Sequence, residues 1–373
     1  MLVLSRCESV TQINGQDAPA RKNRGTYGFA GGKTRSLEMI GLSHGFLDPA
    51  IRLPLLIQPR GRVEALADLV CANKTSLDEI LLEHGAILFR GFNIGDAIQF
   101  GEVTNAIGSE RLDYVYRSTP RAAVGDGVFT ATEYPADQEI ELHNENAYQH
   151  QWPLKIAFCC VAPAAVGGET PLADVRNVSA RIGAALLERF EVRGVKYSRT
   201  YQQGADLPWQ EVFQSTDKAQ VETYCRANGI SHEWIDAEVL RTHQVSQGAA
   251  THPVTGERFF FNQAHLFHVS SMGEAAAAAM LSVFGRGRLP RHACYGDGEE
   301  IGFDELETIR RAYREEAVSF RWSRGDVLFL DNMRVAHGRR PYKGSRRLLA
   351  SLLDAYRPNR EGSAGAMSRQ IGA

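Results

Sequence analysis

The strongest constraint on this chain is a pair of polar clusters that lie about half the chain apart. Glu141-Leu142-His143-Asn144-Glu145 places an imidazole and a carboxylate two residues apart, and His337 follows the apolar run Leu328-Phe329-Leu330 far downstream. In an extended segment residues i and i+2 project from one face, so His143 and Glu145 can serve one metal ion while Asn144 points away. Two donors hold a metal poorly, and His337 supplies a third. Two imidazoles and one carboxylate on one side of a metal form the facial triad of non-haem Fe(II) oxygenases, with positions left open for a co-substrate and O2. Taken alone, His-x-Glu is more ordinarily the solvated face of a surface strand. The residues around it carry the rest of the case.

Length allows two domains, but a single β-barrel or sandwich domain with helical insertions also reaches 373 residues. Forty-two basic residues against forty-four acidic ones leave a net charge of -2, which points to no nucleic-acid or membrane-surface partner. The six cysteines form no C-x-x-C pair, and Cys159-Cys160 sits inside an apolar run, as expected of buried, reduced thiols in a cytoplasmic protein. Leu2-Val3-Leu4 is too short for the apolar core of a signal peptide, and no long uncharged apolar run follows.

Residues 1–45 are polar and rich in Gly, Arg and Lys, and they read as a poorly ordered extension before a single domain over 46–373. Helices are expected over 62–72, from the Ser76-Leu77-Asp78-Glu79 capping box to His84, and over 96–107 before Gly108. Further helices are expected over 177–190, capped by Asn177 or Ser179, and over 216–228, 273–284 and 303–316, as insertions between about 175 and 318. Strands are expected at 86–91, 156–161, from Thr170, and at 195–201, 234–245, 257–261, 320–322, 326–331 and 346–356. Strands dominate around His143 and His337, so the fold class is mainly β with peripheral helices, a jelly roll that joins distant strands around a central cavity.

Several motifs together resemble the taurine dioxygenase (TfdA-like) family of Fe(II)/2-oxoglutarate oxygenases, in its clavaminate synthase-like branch with Glu as the carboxylate ligand. They are Thr132-Glu133-Tyr134-Pro135, His143-Asn144-Glu145-Asn146, Pro163 to Asp174, Tyr295-Gly296-Asp297-Gly298, Gly325-Asp326-Val327-Leu328 and Asp331 to Pro341. The resemblance covers roughly residues 85–357 and implies a double-stranded β-helix. It implies His143, Glu145 and His337 as ligands of Fe(II), and Thr170 and Arg347 as partners of the far carboxylate of 2-oxoglutarate, with Arg346 the alternative to Arg347. A guanidinium offers that carboxylate a planar fork. The second arginine that relatives carry four residues further along is Ser351 here.

Related halogenases typically lack the carboxylate ligand, so Glu145 favours hydroxylation, with desaturation the alternative. The implied reaction consumes O2 and 2-oxoglutarate, releases succinate and CO2, and removes hydrogen from the substrate. By analogy within the branch, that substrate is an amino acid or an amino-acid derivative of specialised metabolism, free or tethered to a carrier protein. Arg121, Glu133 and Asn146 are the candidate substrate contacts. A zinc hydrolase and a non-catalytic jelly roll that binds a small acid are the rival readings, although H-E-x-x-H is absent.

Overall fold

The computed structural model describes residues 42–61, 65–112, 116, 121–131 and 134–358. Most of the expected polar extension lies outside them, but Leu42–Asp48 is a strand paired with Ile51–Pro59, so ordered structure begins before residue 46.

An eight-stranded sheet runs in the order Leu42–Asp48, Ile51–Pro59, Ala86–Phe89, Val327–Asp331, Trp152–Ala162, Arg347–Tyr356, Val128–Thr130, Ala123–Gly125. Its pairs are antiparallel except for Ile51–Pro59 beside Ala86–Phe89. A three-stranded sheet, Ile140–His143, Val335–Arg339 and Leu172–Asp174, lies against it. Leu172 and Val335 of the small sheet share one buried cluster with Leu88, Phe158, Leu328 and Ala350 of the large one. Fully burying side chains of this size stabilises by about 1.5–3 kcal/mol each, and the two sheets pack their apolar faces together, as a jelly roll does. The expected fold class is the observed one.

The insertion between the two halves is not purely helical. It holds its own four-stranded sheet, in the order Ser231–Trp234, Leu240–Ser246, Val195–Tyr201, Arg291–Tyr295, alongside the helices Lys218–Ala227, Glu274–Phe284 and Phe303–Glu316.

Local expectations fail where a side chain captures backbone. The run expected as one strand over 234–245 is broken because Asp236 Oδ1 accepts the amides of Glu238 and Val239, which turns the chain into a hairpin. The Ser76 capping box is not used, because helix Lys74–His84 starts directly after Asn73. Asp174, not Asn177 or Ser179, caps helix Val175–Ile182, and Gly183 divides it from helix Ala184–Arg193. Phe320 to Trp322 joins no ladder; the Trp322 side chain instead reaches Thr170.

The strands that carry the candidate ligands approach very closely at Gly338. A Cβ there would lie 2.5 Å from the Ile140 carbonyl oxygen and 3.2 Å from Pro171 Cγ. Gly338→Ala is therefore expected to destabilise the protein by about 1–3 kcal/mol through overpacking. An unchanged midpoint in chemical denaturation would refute this account of the close approach.

Candidate metal centre and co-substrate pocket

Antiparallel pairing puts His337 directly opposite His143, which spans the half-chain gap in a single register position. The two rings lie 4.6 Å apart. Glu145, just past the end of its strand, turns its carboxylate between them: Oε2 is 4.0 Å from His143 Nε2 and 3.8 Å from His337 Nε2. All three donor atoms fall within 4.8 Å of one another.

A buried amide holds this arrangement. Asn332 Oδ1 accepts the Glu145 amide at 2.7 Å, while its Nδ2 donates to the carbonyls of Glu145 (3.0 Å) and Pro153 (2.8 Å). Asn144, pointing away from the carboxylate as the alternation requires, donates back to the Asn332 carbonyl at 2.6 Å. The insertion braces the same segment through its backbone. Gln263 donates to the Asn144 carbonyl, His265 to that of Leu142 and Gln247 to that of Ala147.

The protonation pattern suits a metal. His143 Nδ1 faces the Glu141 carbonyl at 2.8 Å and must therefore carry the hydrogen, which leaves the Nε2 lone pair toward Glu145. Burial lowers the pKa of His143, and burial, with the Arg121 charge, pushes that of His337 well down, so both imidazoles stay neutral. A second cluster, His268, His292 and Glu300, has similar residues and the opposite pattern. There the amides of Ser270 and Val269 donate to Nδ1 of His268 and His292. Each Nε2 consequently bears hydrogen and donates to Glu300, so neither ring offers that cluster a lone pair.

Phe158 packs on His337 at 5.2 Å between ring centroids, inside the apolar wall that leads to the second part of the site. Thr170 is buried, and its Oγ1 accepts the Trp322 Nε1–H at 3.0 Å, so its own hydrogen is left to be donated elsewhere. Gly168 lies in the left-handed region at φ +74°, where a Cβ would meet Arg346 Cδ at 3.1 Å; Arg346 crosses this spot to donate from Nε to the Gly168 carbonyl at 3.0 Å. Arg347 does not share this environment. It begins the strand Arg347–Tyr356 with an exposed side chain, whereas Leu348, Ala350 and Leu352 face the interior cluster. A register shift between Arg347 and Leu348 breaks the alternation there, and Arg346, just before the strand, is the half-buried one of the two arginines. Burial, with the nearby Arg339 charge, brings the Arg346 pKa down to about 10.

Among the candidate substrate contacts, Arg121 is buried and donates to Glu145 itself at 2.8 Å. Asn146 lines a cavity of about 330 Å³ together with Tyr116, Gln149, Tyr224 and Gln244, and none of the three candidate ligands lines it. The buried Asn146 Oδ1 has no hydrogen-bond partner among the described residues. Glu133 lies outside the described residues. Ser351 faces away from the interior cluster and donates to the Gly127 carbonyl. Trp322, Asn332 and the half-buried Arg346 are the positions that sequence reasoning undervalued.

Residues 55–353 match the family described as "Taurine catabolism dioxygenase TauD, TfdA family". The chain belongs to this family. It is 42% identical over 285 residues to the dapdiamide synthesis protein DdaC of Enterobacter agglomerans, covering 76% of this chain and 87% of that one. It is 32% identical over 314 residues to a clavaminate synthase-like protein of Arabidopsis thaliana, covering 82% and 89%. Among solved structures, AAD-2 in complex with Mn(II) and N-oxalylglycine superposes with a TM-score of 0.52 at 13% identity, covering 85% of this chain and 98% of that one, which is a likeness of fold. The family makes this protein an Fe(II)/2-oxoglutarate-dependent dioxygenase, with O2 as the other co-substrate, and displaces the zinc-hydrolase and non-catalytic readings. No helix among the described residues is long and apolar enough to cross a membrane.

Histidines kept neutral by burial make the fold acid-sensitive. Burial drives the pKa of His265 down to about 3 and that of His268 down to about 4, both from 6.5. The unfolded chain takes up protons that these folded rings refuse, so stability is full above about 6.5 and falls as pH drops toward 4 and then 3. The melting temperature of metal-free protein should accordingly decline from pH 6.5 downward; a flat profile to pH 4 would contradict these assignments.

Proposed function

We propose that this dioxygenase hydroxylates an amino acid or an amino-acid derivative, free or carried on a carrier protein, with His143, Glu145 and His337 holding Fe(II). Thr170 and Arg346 hold the far carboxylate of 2-oxoglutarate. The observation that carries this reading is Arg346: a half-buried guanidinium near that of the buried Arg339, with no carboxylate in ion-pair contact with it among the described residues. Such a cation is costly unless an anion joins it. Arg339 is already engaged, donating to the carbonyls of Tyr134, Pro135 and Gln138, whereas Arg346 makes one bond to a carbonyl. Identity to a synthesis protein supports the biosynthetic substrate class.

When bound, iron and 2-oxoglutarate supply the oxidising power that removes hydrogen from the substrate. The chain supplies placement. Asn332 fixes the Glu145 backbone, and the Glu141 carbonyl fixes the His143 ring. The Trp322 N–H turns the Thr170 hydroxyl hydrogen away from the indole, and so toward an acceptor in the pocket. Phe158, Leu172 and Leu348 line an apolar wall that excludes water, which strengthens each of these polar contacts.

Two outcomes test the assignment. Replacing His143 or His337 by Ala should abolish metal binding and 2-oxoglutarate-dependent succinate formation while the protein stays folded, and retained succinate formation in either variant refutes the triad. Anaerobic addition of Fe(II) and 2-oxoglutarate should produce a visible charge-transfer band in wild type and in Arg347→Gln, but not in Arg346→Gln at the same ligand concentration. The reverse pattern would return the anchor to Arg347.

A further inference from the structure

The Arg121 guanidinium donates from Nη2 to Glu145 Oε2 at 2.8 Å, and the two side chains are only 3% and 4% exposed. The acceptor is the same oxygen that stands 4.0 Å from His143 Nε2 and 3.8 Å from His337 Nε2. A cation therefore already sits on the central atom of the donor set. Donors about 2.1 Å from one ion at a right angle lie roughly 3 Å apart, closer than these. A metal bound through Oε2 shares that oxygen with Arg121 and competes with it for the same lone-pair density. An arginine cannot shed its proton to relieve that conflict.

The charges set the consequence. The Arg121–Glu145 pair is neutral as a unit, so a divalent ion entering beside it adds two positive charges to a buried site. A dicarboxylate co-substrate offsets them. Without Arg121 the same set is anionic and attracts the ion by itself.

Resting on the metal assignment above, we propose that Arg121 is a positioning residue that couples the two ligands. It stands in for the ion's charge on Glu145 while no ion is there, weakens binding of the ion alone, and strengthens binding of 2-oxoglutarate once the ion has entered. The site then fills as a pair, by reciprocal linkage.

The test uses chelator-treated full-length protein with Mn(II) as the probe, titrated alone and then with 2-oxoglutarate added to the Mn(II)-loaded protein. Arg121→Gln should bind Mn(II) alone about tenfold or more tighter than wild type, and should bind 2-oxoglutarate about tenfold or more weaker. Arg121→Lys, which keeps the charge, should stay within about threefold of wild type on both counts. A purely structural ion pair would lower stability without tightening Mn(II), so equal or weaker Mn(II) binding by Arg121→Gln overturns the proposal. If Arg121→Gln fails to fold without metal, added Mn(II) should restore a cooperative thermal transition, and failure to restore it counts against the proposal equally. Wild-type protein that binds no Mn(II) would refute the metal centre itself, a result distinct from a tie between wild type and Arg121→Gln.

Discussion

The candidate metal centre depends on one register. Pairing His337 with His143 turns residues half a chain apart into neighbours, and a one-residue slip would send either imidazole to the opposite face of its strand. Two features guard against that slip. Gly338 lets the strands approach more closely than any side chain would permit. Asn332 fastens the Glu145 backbone from the far side, and a buried amide that satisfies three backbone groups has no equivalent partners one residue away.

Electrostatics divide the interior into two ends. At the candidate metal end, burial holds down the pKa of both imidazoles, and Glu145 is ion-paired with Arg121. At the far end, Arg339 and Arg346 concentrate positive charge; Glu169 acts on Arg346 from nearby, but among the described residues no carboxylate is in ion-pair contact with either arginine. An interior arranged this way suits an anion that spans both ends, which is the description of 2-oxoglutarate. The same logic separates the centre from the His268, His292 and Glu300 cluster, where the right residue types are present but backbone amides have claimed the wrong nitrogens.

The jelly roll and the convergence of His143, Glu145 and His337 were legible because they rest on short-range alternation and on motifs whose residues lie together in sequence. Favouring Arg346 over Arg347 needed their burial, since Arg347 is exposed and Arg346 half-buried near Arg339, and no local pattern encodes that difference. The roles of Asn332 and Trp322 rest on contacts to residues 187 and 152 positions away, and no local pattern encodes those. Arg121 lies in a Pro-bearing stretch without periodicity, where a substrate contact and an ion pair look alike. The hairpin within 234–245 was missed because a single aspartate, Asp236, outweighs the strand propensity on either side.

The way the insertion meets the ligand segment bears on how this enzyme can diversify. Gln263, His265 and Gln247 all grip main-chain carbonyls, of Asn144, Leu142 and Ala147. A carbonyl is the same whatever residue carries it. The insertion can therefore acquire new loops and cavities through mutation without requiring matching changes in the ligand side chains, and the reactive centre can be inherited intact while the surrounding module drifts toward new substrates.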